Sequence, residues 1–211
     1  MIITVDGPAA SGKGTLARRL AAHFGFAYLD TGKIYRAVGF HVLESGRDPG
    51  DADAALDAAE ALQPIGLENP ELISDRVAVA ASKVAAVKAV RAVLLGFQRN
   101  FAANPPGGSS GAVLDGRDIG TVVCPDAPAK LFVTAEVTER AKRRHKELLD
   151  KGEPSIYPRV LQALKDRDAR DSNRSAAPLV AASDAIVMDT TAMDPDEAFA
   201  YALDSIRHIT G

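Results

Sequence analysis

The sequence predicts an α/β fold: a P-loop, doubly wound parallel sheet with helices on both faces. Short apolar segments rich in β-branched residues alternate with amphipathic helical segments, and this order is typical of parallel sheets. The first strand runs into a glycine-rich segment, Gly7–Lys13, that opens a helix, which is the setting of a phosphate-binding loop. Because the chain has 211 residues, of which 46% are apolar, we expect a single domain spanning residues 1–211.

The chain begins in the order strand, helix, strand, helix. Residues 2–5 form a β-branched run, and residues 13–24 repeat apolar side chains at helical spacing. A short strand over residues 26–29 and a helix from Thr31 to about Leu43 complete the pattern.

The segment after the second helix predicts an insert rather than more of the sheet. Residues 51–62 are rich in alanine and indicate a helix, and another helix is expected over about 84–101. Between them, residues 64–80 combine turn formers with alternating valines, which predicts a small separate lobe. The residues behind this prediction are Pro64, Gly66, Pro70, Val77 and Val79.

The rest of the chain supplies the other strands. Residues 104–111 have the composition of a surface loop. Apolar strands, with helices between them, are predicted over residues 112–115, 130–134 and 185–189. The last helix has a clear start, with Asp194 as N-cap, Pro195 at the first position and Glu197 three residues after the cap.

Composition and charge narrow the function classes. A formal net charge of −3, from 25 Lys and Arg against 28 Asp and Glu, gives no global basic field, so we expect no nucleic-acid partner and only a local anion site. The single cysteine, Cys124, excludes an intramolecular disulfide framework and favours a reducing compartment, the cytoplasm by default. No segment reaches the roughly 20 apolar residues of a membrane span, and the start at Met1 lacks the pattern of a signal peptide.

The segment Gly7–Lys13 carries the first chemical signal. In a strand–loop–helix setting, backbone N–H groups and the helix N-terminus face a polyphosphate, and the lysine adds a point charge. The usual pattern places Ser or Thr directly after the lysine to meet magnesium, but here Gly14 stands there and Thr15 follows. Thr15 is therefore the candidate metal contact, directly or through water. A glycine-rich turn with an incidental lysine is the alternative interpretation.

Two further motifs follow other strands. Arg36 lies about one helical turn beyond Gly32, where it can bind a phosphate or be a solvated arginine on a capped helix. Arg117 and Asp118 follow the strand over 112–115, so we expect them at the same edge of the sheet as the P-loop, where doubly wound folds bind ligands. An internal Arg–Asp ion pair in an ordinary turn is the alternative there.

A last motif, residues 167–174, alternates charge signs at the end of a predicted helix. Arg167 and Asp171 share one face of that helix, and Arg170 and Arg174 share another. By itself this pattern is typical of a solvated charged face. Beside the other motifs, its arginines suit a mobile phosphate clamp, because phosphoryl transfer is mostly charge neutralisation and positioning.

Together the motifs resemble those of the bacterial cytidylate kinases, or (d)CMP kinases, among the nucleoside monophosphate kinases. The resemblance spans nearly the whole chain in four blocks: residues 7–15, 28–36, 116–128 and 167–179. It implies a CORE sheet, a nucleoside monophosphate-binding insert over about residues 37–100 and a short LID over about 140–172. It also implies a monomeric enzyme of pyrimidine nucleotide metabolism that transfers a phosphoryl group reversibly from ATP, with Mg²⁺, to CMP or dCMP.

The resemblance implies roles for individual residues. The ATP-binding residues would be Gly7, Pro8, Ala9, Ala10, Ser11, Gly12, Lys13, Gly14 and Thr15. The CMP-binding residues would be Thr31, Arg36, Ser82, Arg91, Arg117, Asp118, Arg167, Asp171 and Arg174. The catalytic residues would be Lys13 with the three acceptor-phosphate arginines Arg36, Arg117 and Arg174. Cytosine would be read by Ser82, Arg91 and Asp118, and the ribose by Arg167 and Asp171. The LID candidates are Arg140, Arg143, Arg144 and Arg170.

Some alternatives stay open at this point. Ser82 and Arg91, taken alone, fit an ordinary helix cap and a surface arginine. Another small phosphotransferase, such as an adenylate kinase or a shikimate kinase, would use the same loop, although adenylate kinases lack the Gly-Arg-Asp-Ile-Gly-Thr sequence found at 116–121. A nucleotide-dependent switch that hydrolyses slowly would leave the arginine motifs without a role.

Overall fold

In the computed structural model, which describes residues 1–62, 69–174 and 176–210, five strands form one parallel sheet. The strands are β1 (Ile2–Asp6), β2 (Ala27–Asp30), β3 (Ala112–Gly116), β4 (Ala129–Thr134) and β5 (Ile186–Asp189), in the spatial order β2-β3-β1-β4-β5. Because chain order and spatial order differ on both sides of β1, the sheet is doubly wound, as predicted.

Helices connect these strands. They are α1 (Lys13–Phe24), α2 (Thr31–Glu44), α3 (Ala52–Glu60), α4 (Asp75–Val84), α5 (Lys88–Ala103), α6 (Val137–Asp150), α7 (Tyr157–Asn173) and α8 (Pro195–Thr210). Short 3₁₀ turns occur at Pro70–Ile73 and Pro106–Gly108, and one π-helical turn, Ile119–Val123, follows β3. No helix of the described residues is long and apolar enough to cross a membrane.

The sheet buries both of its faces. Successive residues of a strand point to opposite faces, so Val113 packs in one apolar cluster with α1 and α8, and Leu114 packs in another with α2, α3 and α5. Both side chains are fully buried, and burial of a side chain of this size stabilises the fold by about 1.5–3 kcal/mol. The prediction of helices on both faces is confirmed.

The insert differs from its sequence prediction in one respect. Val77 and Val79 do not alternate along an extended segment but lie on helix α4, where Val77 is buried and Val79 is exposed. The helix begins there because the Ser74 side chain accepts a hydrogen bond from the Val77 N–H at 3.4 Å. The helix expected over 84–101 therefore starts later, at Lys88, and Pro64 and Gly66 lie outside the described residues.

The start of α8 follows its prediction closely. The Asp194 carboxylate accepts from the N–H groups of Asp196 and Glu197 at 2.8 and 2.9 Å, and the Glu197 carboxylate accepts from the Asp194 N–H at 2.9 Å. This reciprocal pair is the capping box that the sequence indicated.

The register of the central strands places the candidate motifs at one edge. Asp6, the last residue of β1, lies opposite Gly116 of β3, and Asp30 of β2 lies opposite Asp115. The loops that follow β1, β2 and β3 therefore leave the sheet side by side, as expected for a parallel sheet.

Candidate active site

The P-loop has the backbone shape that phosphate binding requires. Gly7 approaches β4 so closely that a Cβ atom on it would lie 2.0 Å from the Val133 carbonyl oxygen. Ala10 and Gly12 adopt positive φ angles of 59° and 90°. Gly12 is the N-cap of α1 and provides no side-chain cap, so the first N–H groups of this helix are available to an anion.

Two of the clefts beside this loop adjoin each other at Lys13. The larger, of about 520 Å³, lies between the P-loop, helix α6 and the segment from Thr190 to Ala198. The smaller, of about 150 Å³, lies between the P-loop, the insert and the ends of β2, β3 and α7. Lys13 and Gly14 line both clefts. A group bound in one cleft therefore meets a group bound in the other at Lys13.

The smaller cleft gathers every residue that the resemblance assigned to CMP. These residues come from five separate segments of the chain, and the cleft is lined by Thr31, Arg36, Ser82, Arg91, Arg117, Asp118, Arg167, Asp171 and Arg174. Ser82 lies in the last turns of α4 and is buried, and the Arg91 side chain is only 10% exposed. The interpretation of these two as a cap and a surface arginine is therefore wrong.

The ion pairs in the smaller cleft differ from the simplest prediction. Arg117 does not pair with its neighbour Asp118 but donates from Nε to Oδ2 of Asp171 at 3.0 Å. Asp118 Oδ2 instead accepts a hydrogen bond from the guanidinium of Arg91, and Asp118 Oδ1 lies 3.7 Å from Nη2 of Arg174. The turn after β3 thus forms its ion pairs with the insert and with the end of α7, and Arg117 and Asp118 do not pair with each other.

The charge balance of the smaller cleft favours an anion. Six cationic side chains line it, namely Lys13, Arg36, Arg91, Arg117, Arg167 and Arg174. The carboxylates that face them are Asp30, Asp115, Asp118 and Asp171. Among the described residues, Arg167 Nε and Arg174 Nη2 are buried without a hydrogen-bond acceptor. Buried donors that make no hydrogen bond are costly, so a ligand with several oxygen acceptors would fit here.

The pKa values of two of these cations reflect the same imbalance. Burial and the nearby charge of Arg117 lower the pKa of Lys13 to about 8. Burial and the same neighbour lower the pKa of Arg167 to about 9. Both side chains carry charges that the free protein solvates poorly, and a polyanion would stabilise them.

Asp115 is a site residue that sequence reasoning did not single out. It ends β3, is 2% exposed, and accepts a hydrogen bond from the Tyr28 hydroxyl at 2.9 Å. Burial raises the pKa of its carboxyl, while the charge of Lys13 lowers it. Gly14 allows this arrangement, because a Cβ atom there would lie 3.1 Å from Asp115 Oδ2. Its place at the end of an apolar strand was the signal available in the sequence.

Tyr35 is a second residue that was missed. Its ring lines the smaller cleft, and the Arg91 guanidinium lies over it, 5.7 Å from the ring centroid. Burial raises the pKa of its hydroxyl. The position of Tyr35 next to Arg36 in the chain was the only hint of this role in the sequence.

Few protein oxygen atoms at the two clefts could contact a metal ion. Within the described ranges, no group of three or more His, Cys, Asp or Glu side chains could hold a metal ion. The candidate protein oxygens are the exposed Thr15 hydroxyl, on the side of the larger cleft, and the buried Asp115 carboxylate on the side of the smaller one. Such a sparse set suits Mg²⁺, which usually keeps waters and is held largely by substrate phosphates.

The four LID candidates have different surroundings. Arg143 and Arg144 line the larger cleft, and Arg144 also pairs with Asp75 at the start of α4. Arg170 donates from Nε to the Ser82 hydroxyl at 3.2 Å. Arg140 is 5% exposed, and its guanidinium binds the Asp168 carboxylate and the carbonyls of Ala9 and Ala135. Arg140 therefore braces α6 against α7 and the P-loop.

Known proteins are similar to this chain over nearly its whole length. A family model described as cytidylate kinase matches residues 3–208. A cytidylate kinase of Paramagnetospirillum magneticum is 61% identical over 96% of this chain and 95% of its own length. A cytidylate kinase of Rhodospirillum rubrum is 57% identical over 99% of this chain and 98% of its own length. In fold, an uncharacterized protein from Eubacterium ventriosum is similar, with a TM-score of 0.52 at 16% identity over 98% of each chain.

Proposed function

The chain belongs to the cytidylate kinase family, and from this we propose that it transfers the γ-phosphoryl group of ATP reversibly to CMP and dCMP. The observation that carries the proposal is the smaller cleft, in which nine residues of the expected CMP-binding set come together beside Lys13. The assignment of each residue below extends the same proposal.

The larger cleft would bind ATP. The N–H groups of the P-loop and of the first turn of α1 would hold the phosphates, and Lys13 would neutralise charge where the two clefts meet. Arg143 and Arg144, which line the opposite wall on α6, would approach the phosphates from the LID side. The volume of about 520 Å³ lies within the range of ordinary ligand pockets.

The smaller cleft would bind the acceptor phosphate and ribose. Arg36, Arg117 and Arg174 would bind the phosphate, because guanidinium groups match its oxygens in pairs. Arg167 and Asp171, whose side chains lie 3.8 Å apart on one face of α7, would contact the ribose. Arg167 Nε and Arg174 Nη2 lie 3.8 and 3.7 Å from a carboxylate oxygen but make no hydrogen bond within the described residues, which supports this assignment.

The base would be recognised by Ser82, Arg91 and Asp118. Cytosine presents an exocyclic amine that donates and a ring nitrogen and carbonyl that accept, so a carboxylate, a hydroxyl and a guanidinium are complementary to it. Arg91 already bonds Asp118 in the free protein, so the carboxylate is held in place before the base arrives. Prior placement reduces the entropy lost on binding.

Mg²⁺ would accompany ATP. Bound there, it supplies charge neutralisation on the phosphate oxygens. Thr15, directly or through water, and Asp115, through water, are the protein groups that we assign to it, since they are oxygen donors at the two clefts that share Lys13. Gly14 leaves the space beside the Asp115 carboxylate free of a side chain.

The chemical step needs no general base. The nucleophile is an oxygen of the acceptor phosphate, which is already ionised near neutral pH. The task of the protein is to bring two polyanions together and to exclude water, and the cationic side chains at the junction of the clefts provide the compensating charge. Removal of one such cation therefore affects the transfer itself more than the fold.

We assign the mobile parts by the same proposal. The insert over about residues 37–100 would close on the acceptor and the LID over about 140–172 on ATP, and the contacts of Arg144 with Asp75 and of Arg170 with Ser82 already link them. A monomer suffices, since every assigned residue comes from one chain. The single, buried, unpaired Cys124 is in line with a cytoplasmic enzyme.

A coupled assay with Mg-ATP and a panel of acceptors tests the proposed function. We expect high turnover with CMP and dCMP, lower turnover with UMP, and none with AMP or shikimate. If ATP were consumed as fast without an acceptor as with CMP, the protein would instead be a nucleotide-dependent switch. Preference for AMP or shikimate would overturn the assignment of the smaller cleft to a cytosine nucleotide.

A further inference from the structure

The turn that follows β3 has an unusual cap. A π-helical turn, Ile119–Val123, starts there, and its first N–H groups have no acceptor within the turn. In a helix such groups are often bonded by the side chain of an Asp that precedes the first turn. Asp118 occupies that preceding position, with φ −147° and ψ 25°, yet its side chain makes no capping hydrogen bond. Its carboxylate is directed to Arg91 and Arg174 instead.

A residue from another strand provides the cap. Asp6 Oδ1 accepts from the Ile119 N–H at 2.8 Å, and Asp6 Oδ2 accepts from the Gly120 N–H at 2.8 Å. Asp6 is the last residue of β1, opposite Gly116, and is 5% exposed. Both of its oxygens are thus used inside the protein, at the root of the turn that carries Arg117 and Asp118.

We infer that Asp6 caps this turn in place of Asp118 and so leaves the Asp118 carboxylate available to the acceptor base, which makes Asp6 a positioning residue for acceptor recognition. The inference rests on the proposed function of the smaller cleft. If Asp118 bonded its own turn, at least one of its two oxygens would be occupied there, and its contacts with Arg91 and Arg174 would compete with the cap.

Packing around the cap restricts the alternatives. A Cβ atom on Gly120 would lie 3.0 Å from Thr4 Oγ1 and 3.4 Å from Asp6 Oδ2, so a larger residue would press the turn away from β1 and from the Asp6 carboxylate. Burial raises the pKa of Asp6 to about 6, although the two N–H groups lower it. Because this pKa is below 7, Asp6 is a carboxylate at neutral pH, and both of its oxygens accept.

The test compares Asp6→Asn with a matched control. Asparagine has one acceptor oxygen and would direct an NH₂ group at the second N–H, so it caps the turn incompletely. Asp51→Asn makes the same change of charge at the cap of α3, where a single oxygen, Asp51 Oδ1, accepts from the N–H groups of both Asp53 and Ala54, so asparagine can keep that cap. This control cap is not part of either cleft.

We expect Asp6→Asn to raise the KM for CMP at least tenfold and to reduce the CMP over UMP ratio of kcat/KM, with the KM for ATP changed less than twofold. Asp51→Asn should change none of these. In Asp6→Asn, adding Asp118→Asn should cost less than a third of what it costs in the wild type, because both act on one contact. An unchanged CMP over UMP ratio, or equal increases in both KM values, would overturn the inference.

Two measurements keep the test independent of folding and of the proposed function. If Asp6→Asn does not fold, Gly120→Ala replaces it, and we expect the KM for CMP to rise while the KM for ATP stays nearly unchanged. An unchanged CMP over UMP ratio of kcat/KM in Gly120→Ala would contradict the inference. Hydrogen exchange of the Ile119 and Gly120 amides in the free protein tests the cap without a substrate. At least tenfold faster exchange in Asp6→Asn is expected, and unchanged exchange would refute the cap. Failure of wild-type turnover with CMP would instead refute the proposed function, and with it the role in acceptor recognition, without touching the cap.

Discussion

Arg117 donates from Nε to Oδ2 of Asp171 across 3.0 Å, and this bond joins the turn after β3 to the last turn of α7. Their side chains are only 14% and 5% exposed. Although burial opposes it, the charges of Arg117 and Arg167 hold the pKa of Asp171 below its ordinary value. The arginine assigned to the acceptor phosphate is therefore oriented by the carboxylate assigned to the ribose.

Arg117→Ala should lower kcat/KM for CMP by about 10²-fold or more, because it removes a charged contact with the acceptor phosphate and leaves Asp171 with one partner fewer. Steady-state kinetics with CMP varied at saturating ATP measure the effect. Arg47→Ala is the control, since Arg47 pairs with Asp57 on the surface at 2.8 Å and lines neither cleft. An unchanged kcat/KM in a folded Arg117→Ala protein would reject the assignment.

Lys13→Ala should remove most activity and leave the fold intact. The lysine adds a charge where negative charge spreads over the transferring group, so we expect kcat to fall by about 10³-fold or more. The pKa of Lys13 is lower in the folded protein than in the unfolded chain, so at pH 7 its charge opposes folding, and the melting temperature should not decrease. Turnover and thermal melts, with Lys83→Ala as control, measure both. Near-normal turnover would contradict the P-loop assignment.

The pH profile for ATP should report the same lysine. With a pKa of about 8, Lys13 is charged below that pH in the free protein and neutral above it. Because the profile of kcat/KM reports groups of the free enzyme, kcat/KM for ATP should be level below pH 8 and fall with a slope approaching tenfold per unit above it. Lys13→Arg should keep its charge and lose that descending limb. A wild-type profile that is level to pH 9.5 would contradict the prediction.

The sequence was sufficient for the sheet because its signals there are local. The β-branched runs, the P-loop and the capping box of Asp194 and Glu197 each depend on neighbouring residues, and the structure confirms all of them. The bounds of the insert were harder, since Val77 and Val79 suit either an alternating or a helical pattern. The Ser74 cap, which begins α4, decided between them.

The partners inside the site were beyond local reasoning. Arg117 and Asp118 are adjacent in sequence, and a pair between them was the simplest alternative, but the structure directs one to α7 and the other to α5. Asp6 and Asp115 end their strands and were assigned no role from the sequence, and their importance follows from burial beside a turn and beside Lys13. Such contacts arise only when strands distant in sequence are placed side by side.

Arg140→Leu should reduce stability rather than affect phosphate binding directly. The substitution leaves the Asp168 carboxylate and the carbonyls of Ala9 and Ala135 without their donor, in a place where Arg140 is 5% exposed. Loss of one partner of a buried ion pair typically costs about 3–5 kcal/mol, and since Asp168 is partly exposed we expect about 2–4 kcal/mol here. Urea unfolding measures this, and Lys142→Leu, on the exposed face of α6, is the control. A variant as stable as the wild type but with a raised KM for ATP would show a direct role instead.

Asp118→Asn should change the choice of base as well as the rate. The carboxylate accepts hydrogen bonds only, so it favours the amine of cytosine and repels the carbonyl that uracil presents at the same ring position. Asparagine adds a donor, so kcat/KM should fall for CMP while the ratio of CMP to UMP becomes smaller, because a repulsive element has been removed. Asp118 is held by Arg91 and Arg174, and the substitution weakens both contacts, so the loss with CMP should exceed that of one neutral hydrogen bond. A purely structural role predicts equal losses for both acceptors, and kcat/KM for CMP and UMP on the wild type and the variant distinguishes the two: an unaltered ratio excludes base recognition by Asp118.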